Sequence, residues 1–94
     1  MTIQELGSEV EAPVEAHVDA RIDAHVDARG LSCPMPIVRT AQAVRTTQPG
    51  GLIEVLATDP GSTRDFVAWS RATGHELVSQ SVDGSTFRFL IRRK

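Results

Sequence analysis

The chain is short of sulfur, aromatic rings and long apolar runs, and each shortage excludes something. One residue in 94 is cysteine, so no internal disulfide can form and any chemistry at the thiol needs a partner molecule. A lone cysteine also fits a reducing compartment better than an exported protein, which points to the cytoplasm. Tyrosine is absent, and three Phe with one Trp are too few for a surface that stacks nucleic-acid bases, so no direct nucleic-acid binding is expected. No apolar stretch approaches the ~20 residues of a membrane span, and the acidic N-terminus does not have the make-up of a signal peptide. Gly50-Gly51 and Gly61 belong to no phosphate-binding pattern. One cysteine and three scattered histidines make a poor ligand set, so no metal site is expected.

What is present suits one modest domain: 40% hydrophobic and 23% charged residues. The charge is uneven. Residues 1–24 carry six carboxylates against Arg21, a net of −5, and residues 25–94 carry nine basic and six acidic groups, a net of +3. The first segment also holds a repeat, because His17-Val18-Asp19-Ala20-Arg21 returns as His25-Val26-Asp27-Ala28-Arg29. Apolar residues fill every even position from Val10 to Ala28, the alternation of a half-buried strand, but over a length far beyond the ~5–6 residues of an ordinary one. The second copy, 25–29, is therefore read as a core strand. Residues 1–24 are read as an acidic extension, either mobile or an added edge strand. Matching copies allow a register shifted by eight, and Gly30-Leu31, found only after the second copy, should select between them.

From Pro34 to about Thr47 the pattern turns helical, with Ile37, Val38, Ala41 and Val44 as the apolar stripe and Arg39, Gln42 and Arg45 mainly outside it. Gln48-Pro49-Gly50-Gly51 stops it, and Leu52–Thr58 reads as a buried strand. After Asp59-Pro60-Gly61, Ser62 or Thr63 should cap a second helix with Asp65 in its first turn, Phe66, Val67 and Trp69 inward, and Gly74 at its end. Strands at 75–82 and 86–92 flank Asp83-Gly84, a hairpin signal. The order β-α-β-α-β-β predicts an α+β fold, a four-stranded mixed sheet with both helices on one face.

The chemistry centres on Cys33. It is placed at the N-cap of the first helix, with Pro34 at the first helical position and Pro36 in the first turn, where a missing N–H costs little. The partial positive charge of a helix start favours thiolate, while the two prolines leave mainly the Met35 and Ile37 amides to face the sulfur. The expectation is a thiol pKa modestly below the free-cysteine value of ~8.5. Many free cysteines are small buried hydrophobes, but a strand-to-helix turn is usually exposed. A Cys–His pair would need His25 or His75 beside Cys33, which sequence does not place there. Paired catalytic carboxylates are not evident; Asp59 and Asp65 are read as serving the turn and the helix start.

At Gly30-Leu31-Ser32-Cys33-Pro34-Met35-Pro36 the chain resembles the TusA/SirA-like sulfur-carrier family, whose hallmark is Gly-Leu, one variable residue, then Cys-Pro-X-Pro. Pro49-Gly50, Asp59-Pro60-Gly61, Asp65, Trp69, Gly74-His75-Glu76 and Phe89-Leu90-Ile91-Arg92 continue the resemblance across residues 25–94. It implies a two-layer α+β sandwich. It also implies a sulfurtransferase that takes sulfane sulfur on Cys33 as a persulfide from a cysteine desulfurase or rhodanese-type donor. The sulfur then goes to a thiol-bearing acceptor, toward tRNA thiolation, cofactor synthesis or sulfur oxidation. No cofactor beyond the carried sulfur is implied. Gly30, Leu31, Pro34 and Pro36 would support the cysteine, while Met35, Arg39 and Arg45 are candidates for partner docking. The long repeated N-terminus departs from the family pattern. Two other readings remain: a non-catalytic regulatory or binding module in which Cys-Pro-Met-Pro is only a rigid helix start, and a redox sensor acting through a sulfenate or mixed disulfide.

Overall fold

The computed structural model describes residues 22–94. They form β1 (Ile22–Ala28), α1 (Met35–Thr46), β2 (Leu52–Ala57), α2 (Ser62–Thr73), β3 (Glu76–Asp83) and β4 (Thr86–Arg92). The sheet order is β1-β2-β4-β3, with β1 parallel to β2 and the other pairings antiparallel. This is the predicted mixed α+β fold. The terminal hairpin does not simply follow at the edge, because β4 enters between β2 and β3.

β1 starts earlier than the repeat suggested. It includes Ile22, Asp23 and Ala24, and it ends at Ala28 rather than Arg29. The register skips Asp23, running Ile22 with Leu52 and then Ala24 with Ile53. The displaced Asp23 carboxylate accepts the Leu52 N–H at 2.9 Å, so the irregularity itself fastens the strand start. The alternation holds, with Asp23, His25 and Asp27 exposed and Ile22, Ala24 and Val26 half-buried. His25 pairs with Glu54 and Ala28 with Ala57, so the second copy of the repeat occupies the core. The first copy and the rest of the acidic extension before Ile22 lie outside the described residues.

α1 keeps Ile37 and Val44 of the predicted stripe, loses Val38 from it and adds Pro36 and Thr40. Pro36, Thr40 and Val44 are buried, Ile37 packs against the core and Val38 is exposed. Thr40 can be buried because its hydroxyl donates to the Pro36 carbonyl at 2.8 Å, leaving no donor unpaired. α2 begins without the predicted cap. Gly61 stands at the N-cap, no side chain caps the helix, and Ser62 is its first residue with a buried, unpartnered Oγ. Its far end is as expected, with Gly74 in the left-handed region at φ 86 and its N–H on the Ser70 carbonyl.

Both helices cover the sheet face that carries Ile53, Val55, Ala57, Phe89 and Ile91; Val44 and Phe66 join these residues in one core. Phe66 stacks on Phe89 with ring centroids 4.4 Å apart, and Trp69 meets Phe66 edge-on at 6.0 Å. One layer of helix on one layer of sheet leaves the strand ends, and the loops joining them to helices, at the rim.

Candidate functional site

Parallel pairing of β1 with β2 brings their C-terminal ends together. The loop that follows each strand must then meet the other, and the site forms there. Gly30 takes a positive φ of 82 that favours glycine, and its N–H donates to Thr58 Oγ1 at 2.9 Å. The Leu31 N–H closes a turn onto the Ala28 carbonyl at 3.2 Å. Leu31 is half-buried, while Ser32, Cys33 and Pro34 are exposed.

The helix start is shifted by one residue from the prediction. Pro34, not Cys33, holds the N-cap, Met35 is the first helical residue and Pro36 the second, and the Cys33–Pro34 peptide is cis. Cys33 therefore stands one residue outside the helix. The Met35 N–H, expected to face the sulfur, instead donates to the Ser32 carbonyl at 2.8 Å. The Cys33 N–H donates to Asp59 Oδ2 at 3.3 Å. The thiol sulfur and one carboxylate oxygen each of Asp59 and Asp65 lie within 4.8 Å of one another.

These carboxylates overturn the expected depression of the thiol pKa. The Cys33 thiol is pushed above its ordinary value, first by its hydrogen-bonding interaction with Asp65, then by desolvation, then by the charges of Asp65 and Asp59. A thiolate beside two anions is disfavoured more than an adjacent helix terminus favours it. Three possible ligand atoms this close do not by themselves make a metal centre, because exposed acidic groups commonly cluster without an ion.

Of the other residues singled out in the sequence, Gly30, Leu31, Pro34 and Pro36 frame the thiol's loop, with Pro36 buried under the helix start. Met35 and Val38 are each 38% exposed and three apart near the start of α1, which makes a small exposed apolar patch on the helix that follows Cys33. Arg39 and Arg45 are exposed. Arg39 is one turn beyond Met35, whereas Arg45 lies ~15 Å further along the axis from Met35 at 1.5 Å per residue. Neither His25 nor His75 joins the thiol: His25 Nδ1 lies 2.7 Å from Glu54 Oε1, and His75 Nδ1 accepts the Lys94 N–H at 3.0 Å. A cavity of about 200 Å³ lies among Thr63, Gln80, Ser81, Val82, Phe87 and Phe89, and none of the Cys33 cluster lines it.

Sequence reading missed Asp59 and Asp65 as site residues, giving them only turn and helix duties. The signal was available in the parallel β-α-β unit, which sets the loop after the second strand beside the loop after the first.

Fold and site together describe a small α+β domain that presents one thiol at its surface, just ahead of a proline-bounded helix. The chain belongs to the TusA family: residues 24–93 match the family model described as Sulfurtransferase TusA. It is 42% identical over 66 residues to a sulfur carrier protein TusA of Allochromatium vinosum, covering 70% of this chain and 87% of that one. To a sulfur carrier protein TusA of Pseudomonas putida it is 46% identical over 67 residues, covering 71% and 84%. The crystal structure of a SirA-like protein from Desulfitobacterium hafniense superposes with a TM-score of 0.65, covering 73% of this chain and 95% of the other. At 22% identity that likeness speaks to the fold.

Proposed function

We propose that this protein is a sulfur carrier in which Cys33 accepts sulfane sulfur as a persulfide and passes it to a thiol-bearing acceptor. The observation that carries this reading is the exposed Cys33, the one cysteine of a chain in this family, standing at the rim where a partner's thiol can reach it. In uptake, the Cys33 sulfur attacks the outer sulfur of a donor persulfide and the donor's inner sulfur leaves as thiolate. Delivery runs the same exchange toward the acceptor. With no second cysteine, the loaded persulfide cannot discharge as an internal disulfide.

A cysteine desulfurase or rhodanese-type protein is the proposed donor, in the cytoplasm. The proposed destinations are tRNA thiolation, cofactor synthesis or sulfur oxidation. Met35, Val38 and Arg39 offer a mixed apolar and cationic footing for either partner, and Arg45 an outlying one. Exposure of the thiol supports a carrier over a regulatory or binding module in which Cys-Pro-Met-Pro is only a rigid helix start, a reading that a buried Cys33 would favour.

The test is intact-protein mass spectrometry after incubation with a cysteine desulfurase and cysteine, and separately with a rhodanese-type donor. A reducible gain of one sulfur atom, absent in Cys33→Ser, is expected. No gain from either donor, with Cys33 open to alkylation, would refute the carrier reading.

A further inference from the structure

A nucleophilic thiol is ordinarily set beside a cation or a neutral base that helps it ionise. Cys33 is set beside two acids. Among the described residues, the charged groups acting on it are Asp65, from the first turn of α2, and Asp59, from the loop between β2 and α2. Their surroundings divide the labour. The Asp59 carbonyl accepts the Ser62 N–H at 3.0 Å and its Oδ2 accepts the Cys33 N–H at 3.3 Å, so Asp59 ties the cysteine's backbone to the turn. Asp65 stands in the first turn of α2, where its charge suits the helix dipole, but no side chain caps that helix, so its carboxylate is not held by a cap bond. Its carboxylate is instead turned to the thiol, with both carboxylate groups within 4.8 Å of the sulfur.

We propose that Asp65 takes the Cys33 proton as the sulfur attacks and returns it to the departing sulfur, while Asp59 positions the Cys33 backbone; this deepens the carrier reading and rests on it for the natural substrate. In uptake the Sγ–H bond breaks and the proton moves to an Asp65 oxygen. The Sγ lone pair forms a bond to the donor's outer sulfur, the donor S–S bond breaks, and its electron pair leaves on the inner sulfur. Asp65 then protonates that sulfur. One thiol and one persulfide become one persulfide and one thiol, with no net oxidation. Delivery reverses the steps, with Asp65 protonating the leaving Cys33 sulfur. The same carboxylate keeps the empty carrier in its thiol form, which restrains it from reacting with electrophiles that cannot use the proton.

Two neutral probes test this without a sulfur donor. Iodoacetamide reports how much thiolate is present. Bis(2-hydroxyethyl) disulfide reports attack on an S–S bond whose departing thiolate is basic and needs a proton. In Asp65→Asn the alkylation midpoint is expected to move to lower pH and alkylation at pH 7 to quicken. Disulfide exchange at pH 7 should fall relative to alkylation by ~10-fold or more, the low end of general acid–base effects being about 10². Asp65→Glu should restore exchange. If both rates rise together in Asp65→Asn, Asp65 is only an electrostatic neighbour and the proposal is overturned.

The folded wild type gives an independent measure that needs no variant. Across disulfides of graded leaving-thiol acidity, its rates should depend less on the leaving group than those of N-acetylcysteine, and equal slopes would overturn the proposal. A wild type that passes these tests yet gains no sulfur from any donor would refute the carrier reading and leave the role of Asp65 supported.

Discussion

The Cys33 sulfur has a carboxylate oxygen of Asp59 and one of Asp65 within 4.8 Å. A lone cysteine followed by Pro-Met-Pro announces a strand-to-helix turn from sequence alone. The pKa of that thiol depends on Asp59 and Asp65, which are 26 and 32 residues away, and on a one-residue shift that moves Cys33 out of the N-cap. Local propensity carries no information about either. The raised pKa has a measurable consequence. The pH midpoint of Cys33 alkylation should lie above the ~8.5 of free cysteine, and at pH 7 the thiol should react more slowly than free cysteine. A midpoint below that value would mean that the helix terminus, and not the acids, governs the sulfur. For sulfur exchange a sparse thiolate is not a simple handicap, since a more basic sulfur is also the stronger nucleophile.

At the scale of elements, the kinds and order of strands and helices followed from periodicity and punctuation, while faces and caps did not. The line that α1 buries includes Thr40, a hydroxyl residue that a search for an apolar stripe passes over. Its hydroxyl satisfies itself on the preceding turn and lets the helix bury the line Pro36, Thr40 and Val44. The turn between α1 and β2 shows what sequence cannot weigh at all. Gly51 reads as one of two interchangeable glycines, yet the two differ. Gly50 has a positive φ of 85 with open space around it. A Cβ on Gly51 would meet Thr47 Cγ2 at 2.6 Å, Asp23 Oδ2 at 3.0 Å and the Gln48 carbonyl oxygen at 3.0 Å. Asp23 is the residue that fastens the start of β1 to Leu52. Gly51→Ala should therefore destabilise the protein by ~1–3 kcal/mol, the usual range for an overpacked site. Urea denaturation would measure it, and an unchanged midpoint would show that the α1–β2 turn yields without cost.

At the scale of the whole molecule, the sheet face opposite the helices carries a polar tie across three strands. Glu54, in β2, takes the Arg88 Nε of β4 at 2.5 Å and lies 2.7 Å from the His25 Nδ1 of β1. Neither contact could be read from sequence, because the first needs the insertion of β4 beside β2 and the second needs the register His25 to Glu54. Arg88 first, and then His25, hold the Glu54 carboxyl below its ordinary pKa against an opposing desolvation. A carboxylate with a lower pKa in the folded chain stabilises the fold fully above its unfolded pKa of ~4.3, and that contribution is lost as pH falls through the folded value. Glu54→Gln should accordingly cost about 1 kcal/mol at pH 7, a figure kept small because Arg88 and His25 are solvent-accessible. The gap between wild type and variant should close as the pH is lowered below ~4.3. Chemical denaturation of both proteins between pH 7 and pH 3 distinguishes this from a packing effect. A gap that shrinks with acid assigns the stability to the charge of Glu54, and a gap constant across the range assigns it to shape alone.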